Sequence, residues 1–320
     1  MTAPGGDAAD TPVSVQQALQ RARTVGLDRL DAQVLLLHAL GRDAHDRAWL
    51  IAHDTDAIPV DVAQRYTLMC GRRVRGEPVA YLTGQREFHG LSLQVDARVL
   101  DPRPDTETLV DWALERLQDL PSPTVLDLGT GSGAIALAIQ HRRPDSRVWG
   151  VDASAEALAV ARANGRRLGL GVGFIQGHWL RDWTRLCQAP GTALADGSPL
   201  PSRWQLIVSN PPYIRADDPH LAALTHEPLS ALASGPDGLS DLREIIAEAG
   251  AHLQPGGWLL LEHGWDQAEA VAELLRRAGF EAVEHRHDLA GHVRCTGGRH
   301  GPPPQGRGCP ATDKDMCGLG

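Results

Sequence analysis

The chain has 320 residues, 42% of them hydrophobic, with a formal net charge of −9, which sets an expectation of about two domains around a sizeable core. An acidic balance excludes broad adhesion to phosphate backbones, so no direct nucleic-acid partner is expected. Apolar runs such as QVLLLHAL and GGWLLLEHG fall well short of the roughly 20 residues of a membrane span, and the opening MTAPGGDAADTPVS lacks the basic flank and apolar centre of a secretory signal, leaving the cytoplasm as the expected location.

Residues 1–77 read as a small helical domain. SVQQALQRARTVG starts at a capping serine, Ser14, and stops at Gly26; DRLDAQVLLLHALG stops at Gly41; DVAQRYTLMCGRRVRGE carries a third amphipathic pattern. No catalytic constellation is visible there, and the expected role is support or docking of a substrate. Residues 78–104 turn to alternating, turn-rich sequence and read as a linker containing a hairpin. From residue 105 a strand, a glycine turn and a helix recur: TVLDLGTGSG into AIALAIQHR, SRVWGVDAS into AEALAVARANGRRLG, then VGFIQGHW, WQLIVSNPPY, and GGWLLLEHG into QAEAVAELLRRAGF. That alternation predicts an α/β fold with a doubly wound, mostly parallel sheet over 105–300. Its ligand belongs at the carboxyl ends of the strands. Residues 188–203 are Gly/Pro/Ala/Ser-rich and read as a flexible insertion, and 301–320 as a disordered tail. The five cysteines, Cys70, Cys187, Cys295, Cys309 and Cys317, include no CxxC pair. Neither a disulfide framework nor a metal site is expected from them.

Two segments of the α/β region carry chemistry. VLDLGTGSG sets Gly129, Gly131 and Gly133 at the turn from a strand into a helix, where glycine admits a ligand to the backbone and the helix N-terminus offers free N–H groups to an anion. Asp152 ends the next strand, nineteen residues past Gly133, where a carboxylate can accept both hydroxyls of a ribose. Either feature alone is equally a tight turn or a capping aspartate. The third feature decides the matter: LIVSNPPY ends a strand with Asn210, Pro211, Pro212 and Tyr213. Two prolines remove two backbone donors and fix two φ angles, and the first forces Asn210 extended. The result is a stiff corner that presents a side-chain amide, proline carbonyls and an aromatic ring beside an adenosine pocket.

DLGTGSG, Asp152 and NPPY together resemble the class I S-adenosylmethionine-dependent methyltransferases that act on planar amide or amino nitrogens. The resemblance implies a Rossmann-like, seven-stranded sheet and S-adenosyl-L-methionine as cofactor. It implies that Gly129, Thr130, Gly131, Ser132 and Gly133 line the methionine and ribose, that Asp152 binds the ribose, that Trp179 flanks the adenine and that Asn210 borders cofactor and acceptor alike. An amide nitrogen is a poor nucleophile, and the resemblance implies that its N–H bonds are held on two neutral acceptors, the Asn210 oxygen and the Pro211 carbonyl, with Tyr213 stacked on the planar group, which aims its lone pair. His178 stands where such proteins often carry an acid or serine. EPVAYLTGQREFHGL, DPRPDTE, NPPYI, HEPLSALASGPDGLSDLR and LLLEHGWDQ further resemble the peptide chain release factor glutamine methyltransferases. That implies methylation of the glutamine of the Gly-Gly-Gln loop in class 1 release factors, with Arg103 and Glu107 near the active site and Glu227 in the loop shaping the acceptor pocket. Asp101 replaces a usual apolar residue, the 188–203 insertion is longer than typical, and the last 20 residues extend past the usual end. A glutamine methyltransferase of a ribosomal protein, a nucleic-acid amino-methyltransferase and a non-catalytic cofactor-binding module stand as alternatives.

Overall fold

The computed structural model describes residues 13–181, 183–188, 191–194 and 196–301. Residues 1–12, parts of the expected insertion, and the expected tail beyond Gly301, with Cys309 and Cys317, lie outside the described residues.

Five helices come first: α1 (Val15–Thr24), α2 (Arg29–Ala39), α3 (Arg47–Ala52), α4 (Val60–Val74) and α5 (Val79–Thr83). Ser14 and Gln17 close a capping box at the start of α1, each side chain accepting from the other's backbone N–H. The apolar faces of the helices meet around Leu35, Leu36, Leu50, Tyr66 and Leu82, and the Tyr66 hydroxyl satisfies itself on the Ala32 carbonyl at 3.2 Å. Helix α5 falls inside the stretch read from sequence as linker: Pro78 starts it and Gly84, in the left-handed conformation, stops it within five residues, too short for a helical period to register. The hairpin follows as β1 (Gln85–Phe88) and β2 (Leu91–Gln94), antiparallel.

The rest is a seven-stranded sheet flanked on both faces. Its strands are β3 (Thr124–Leu128), β4 (Arg147–Asp152), β5 (Gly173–Gln176), β6 (Trp204–Ser209), β7 (Leu253–Glu262), β8 (Phe280–His287) and β9 (Val293–His300), in the spatial order β5-β4-β3-β6-β7-β9-β8. The first five run parallel, and β9 is antiparallel to both its neighbours. Successive residues of a strand serve opposite faces. Val125, Leu206, Val208 and Leu260 pack under α6 (Glu107–Leu117), α7 (Ala134–Arg142) and α8 (Ala155–Leu168). Leu126, Ile207, Leu259 and Leu261 pack under α9 (Trp183–Gln188), α10 (Ser240–His252) and α11 (Ala268–Arg277). Leu194 and Leu200, from the glycine- and proline-rich insertion, are buried in this second layer, and the Trp149 indole donates to the Thr192 carbonyl at 2.9 Å. Strand order departs in both directions from β3, to β4 on one side and β6 on the other, which opens a crevice at their carboxyl ends. Among the described residues no helix is long and apolar enough to cross a membrane.

Candidate active site

The turn after β3 forms the floor of the crevice. Gly129 and Thr130 both donate their N–H to the Val151 carbonyl, at 2.8 and 2.9 Å, and Gly133 donates to the Thr130 carbonyl. Asp152 accepts from Gly131 N–H through Oδ2 at 2.9 Å and from Ser154 N–H through Oδ1 at 2.8 Å. These four N–H groups of the turn before α7 are thus engaged within the protein, and the turn contributes shape and carbonyl oxygens. A cavity of about 480 Å³ lies above it, lined among others by Gly129, Gly131, Asp152, Trp179, Asn210 and Pro212. Thr130, Ser132 and Gly133 stand behind this lining. The Thr130 hydroxyl donates to Asp127 Oδ2 at 2.6 Å, Ser132 is buried, and Gly133 caps α7. Burial pushes the Asp127 carboxyl up to about 7.

Trp179 reaches over the floor from the loop after β5. Its φ of +48° is unusual for a bulky residue, and its indole N–H donates to Asp241 Oδ1 at 3.1 Å. Gly129, itself at φ +71°, leaves space for the ring: a Cβ there would lie 3.0 Å from it. His178 lines the same cavity and sits 3.3 Å from Glu244.

The corner after β6 forms the adjoining wall. The Ser209 hydroxyl donates across to the Leu128 carbonyl at 2.7 Å, Pro211 and Pro212 are buried, and Asn210 and Tyr213 are half-buried. Asn210 Nδ2 donates to Thr106 Oγ1 at 3.2 Å, which turns the amide oxygen away from Thr106. The Tyr213 hydroxyl donates to Glu262 Oε1 at 3.3 Å, and its carbonyl accepts from Gln267 Nε2 at 3.0 Å. Gly238 (φ +74°) packs so tightly on that carbonyl that a Cβ would come within 2.3 Å of it. Burial, reinforced by Glu262, pushes the Tyr213 phenol up, so it stays neutral. Glu262 is wholly buried and burial pushes its carboxyl up to about 7; the Thr106 hydroxyl, the Arg294 guanidinium and the Tyr213 hydroxyl pull the other way.

Of the three other residues singled out in the sequence, two come together. Arg103 Nη2 meets Glu227 Oε1 at 2.6 Å, and the Asp101 N–H donates to Glu227 Oε2 at 3.3 Å. The contact ties the segment before α6 to the loop after the corner, whose Pro228, Ser230 and Ala231 line the cavity. Asp101 is buried, which pushes its carboxyl up, and it finds Arg86 at 3.4 Å and Arg103 at 3.7 Å. Glu107 faces elsewhere: its Oε1 accepts from the His89 N–H at 3.0 Å, bracing the hairpin turn. Sequence reasoning missed Thr106, Asp241, Glu262 and Gln267. All four sit inside motifs that carry the resemblance, Thr106 in DPRPDTE, Asp241 in HEPLSALASGPDGLSDLR, and Glu262 and Gln267 in LLLEHGWDQ; a polar residue closing an apolar run was the available signal for Glu262. Among the described residues no cluster of three or more His, Cys, Asp or Glu could hold a metal ion.

A family model described as the PrmC N-terminal domain matches residues 14–84, and a general methyltransferase domain model matches residues 125–188. The release factor glutamine methyltransferase of Burkholderia pseudomallei is 46% identical over 297 residues, covering 90% of this chain and 98% of the relative. The enzyme of the same name from Bordetella pertussis is 47% identical over 275 residues, covering 85% and 95%. A solved methyltransferase from Pyrococcus furiosus superposes with a TM-score of 0.46 at 17% identity, over 72% of this chain and 98% of that one. With identity at this level along nearly the whole length, the chain is a methyltransferase and belongs to the release factor glutamine methyltransferase family.

Proposed function

We propose that the protein methylates the side-chain amide nitrogen, N5, of the glutamine in the Gly-Gly-Gln motif of class 1 peptide chain release factors, with S-adenosyl-L-methionine as the methyl donor. The observation that carries this reading is the neutral, acceptor-rich corner: Asn210 spends its NH₂ on Thr106, which leaves Oδ1 and the Pro211 carbonyl as two acceptors for the two N–H bonds of a planar amide. The cofactor suits the adjoining cavity. Its volume, about 480 Å³, falls in the range of about 300 to 1,000 Å³ usual for such ligands. Each Asp152 oxygen takes one backbone N–H and keeps a lone pair, so the carboxylate can still accept the two hydroxyls of a ribose. Trp179 offers the flat face for an adenine.

Bound there, S-adenosyl-L-methionine supplies an electrophilic methyl on a sulfonium, so that an N–C bond forms as the S–C bond breaks. Asn210 and Pro211 hold the amide so that its lone pair points at that methyl, and Tyr213 stacks on its plane. Neither acceptor needs to be a base, because the methylated amide readily gives a proton to water. Positioning carries most of a transfer between two bound partners, and the prolines make it stiff. Arg103, Asp101 and Glu227 brace the loop that shapes the acceptor side. The helical region before the hairpin docks the protein substrate.

The test is peptide mass spectrometry of a purified class 1 release factor incubated with this protein and S-adenosylmethionine. One added methyl on the Gly-Gly-Gln glutamine is the expected result. A methyl found instead on a ribosomal protein or a nucleic acid overturns the choice of substrate.

A further inference from the structure

An asparagine amide can present either its oxygen or its NH₂ to a bound group, and the two presentations differ by a half-turn about the last side-chain bond. The prolines that stiffen the corner hold the Asn210 backbone and leave that half-turn free. What selects the orientation lies 104 residues earlier in the chain, at Thr106, whose Oγ1 accepts from Asn210 Nδ2 at 3.2 Å.

Thr106 is 4% exposed. A buried hydroxyl has one proton to place and two lone pairs to offer, and the proton needs an acceptor. Glu262 offers one. Its Oε1 already accepts from Tyr213, its Oε2 is buried with no hydrogen-bond partner, and the Thr106 hydroxyl is near enough to favour the ionised form of the carboxyl. If the hydroxyl proton turns toward that unpartnered oxygen, Thr106 faces Asn210 with lone pairs alone. It can accept from the NH₂ and cannot donate to Oδ1, so the amide oxygen is left for the acceptor. We propose that Thr106, held by Glu262, is the positioning residue that keeps the Asn210 oxygen toward the glutamine amide; this deepens the proposed glutamine methylation and rests on it. One buried carboxylate thereby secures two members of the corner, Tyr213 directly and Asn210 through Thr106. The other charged groups facing Glu262 are Arg294 and Asp105, themselves paired at 3.3 Å.

The experiment measures single-turnover methyl transfer to a release factor and calorimetric cofactor affinity for the wild type, Asn210→Ala, Thr106→Val, Thr106→Ser and Glu262→Gln. Thr106→Val removes the hydroxyl at nearly constant shape and is expected to slow transfer on the order of 10²-fold, with cofactor affinity within about twofold. Thr106→Ser restores the hydroxyl and is expected to restore most of the rate. Glu262→Gln keeps the shape but offers Thr106 an amide N–H, freeing the hydroxyl proton to point at Asn210; it too is expected to slow transfer with cofactor affinity kept, which covers the case in which Thr106→Val does not fold. Undiminished transfer by Thr106→Val, or equal loss in Thr106→Ser, overturns the inference while wild-type transfer upholds the proposed function. Absence of transfer by the wild type overturns the proposed function and this inference together.

Discussion

Around Gly129 and Asp152 the cleft is held by contacts between neighbouring loops, most of them from backbone N–H groups to the Val151 carbonyl or the Asp152 carboxylate. Around Asn210 it is held by side chains drawn from distant parts of the chain: Thr106 before α6, Glu262 at the end of β7 and Gln267 before α11. The first kind of site is built by one turn and its two flanking strands, and it survives changes to remote side chains. The second depends on a few buried polar groups that must all be satisfied at once, because each loses several hydrogen-bonding options when withdrawn from water. A change to the floor should therefore be read in cofactor affinity, and a change to the wall in rate.

The largest expected effect falls on the wall. Asn210→Ala removes a group proposed to hold the acceptor and should slow methyl transfer about 10²- to 10³-fold, with cofactor affinity changed only modestly; single-turnover rates and calorimetry on the same preparation separate the two. Next comes Asp152→Ala on the floor. It takes away a charged acceptor proposed for the cofactor and the brace of the Gly131 and Ser154 N–H groups, so the cofactor Kd should rise roughly 10- to 100-fold. If affinity stayed at the wild-type level, the ribose assignment would be wrong. Arg103→Ala leaves Glu227 buried beside Asp101 without its partner. Because the Arg103 side chain is 35% exposed, the cost is set by the stranded carboxylate more than by the ion pair, about 1 to 2 kcal/mol, and a thermal melt should record it together with a raised KM for the release factor.

The smallest expected effect is one of pH. Burial raises the Glu262 carboxyl to about 7 from 4.5, so the folded state holds its proton more tightly than the unfolded chain. The stability this contributes is full below 4.5 and is lost as pH rises through about 7. Asp127, raised to about 7, acts in the same sense, while His263, lowered by burial to about 4, contributes stability above 6.5 that is lost as pH falls through about 4. Comparing wild type with Glu262→Gln cancels the last two. The melting temperature of the variant should gain on that of the wild type as pH rises from about 5 to about 8, and a gap that stays constant would mean that Glu262 titrates as it does in the unfolded chain.

The same contrast governs how much of the molecule is legible in its amino-acid sequence. The sheet is legible because strand, glycine turn and helix recur in VLDLGTGSG and RVWGVDAS, and because Val125 and Leu126, or Leu259 and Leu260, serve opposite faces as a two-residue period requires. Gly129, Asp152 and the Asn-Pro-Pro-Tyr corner are legible because each is a short local motif. Thr106, Asp241, Glu262 and Gln267 are not. Nothing in a threonine at residue 106 announces a hydrogen bond to residue 210, since that contact exists only once the fold brings the segment before α6 to the end of β6. Glu107, its neighbour in the same motif, reads just as much like a site residue and instead holds the hairpin turn at His89. Adjacent positions around the start of a helix face different ways, and the sequence motif does not say which one looks into the cleft.

The separability of floor and wall is tested most directly by a crossed measurement: cofactor affinity and single-turnover methyl transfer at saturating S-adenosylmethionine, for Asn210→Ala and Asp152→Ala side by side. The expected pattern is a large loss of rate with near-normal affinity in the first, and a large loss of affinity with substantially recovered rate in the second. If both variants lost affinity and rate in the same proportion, the corner would be part of the cofactor site and its assignment to the glutamine amide would fall.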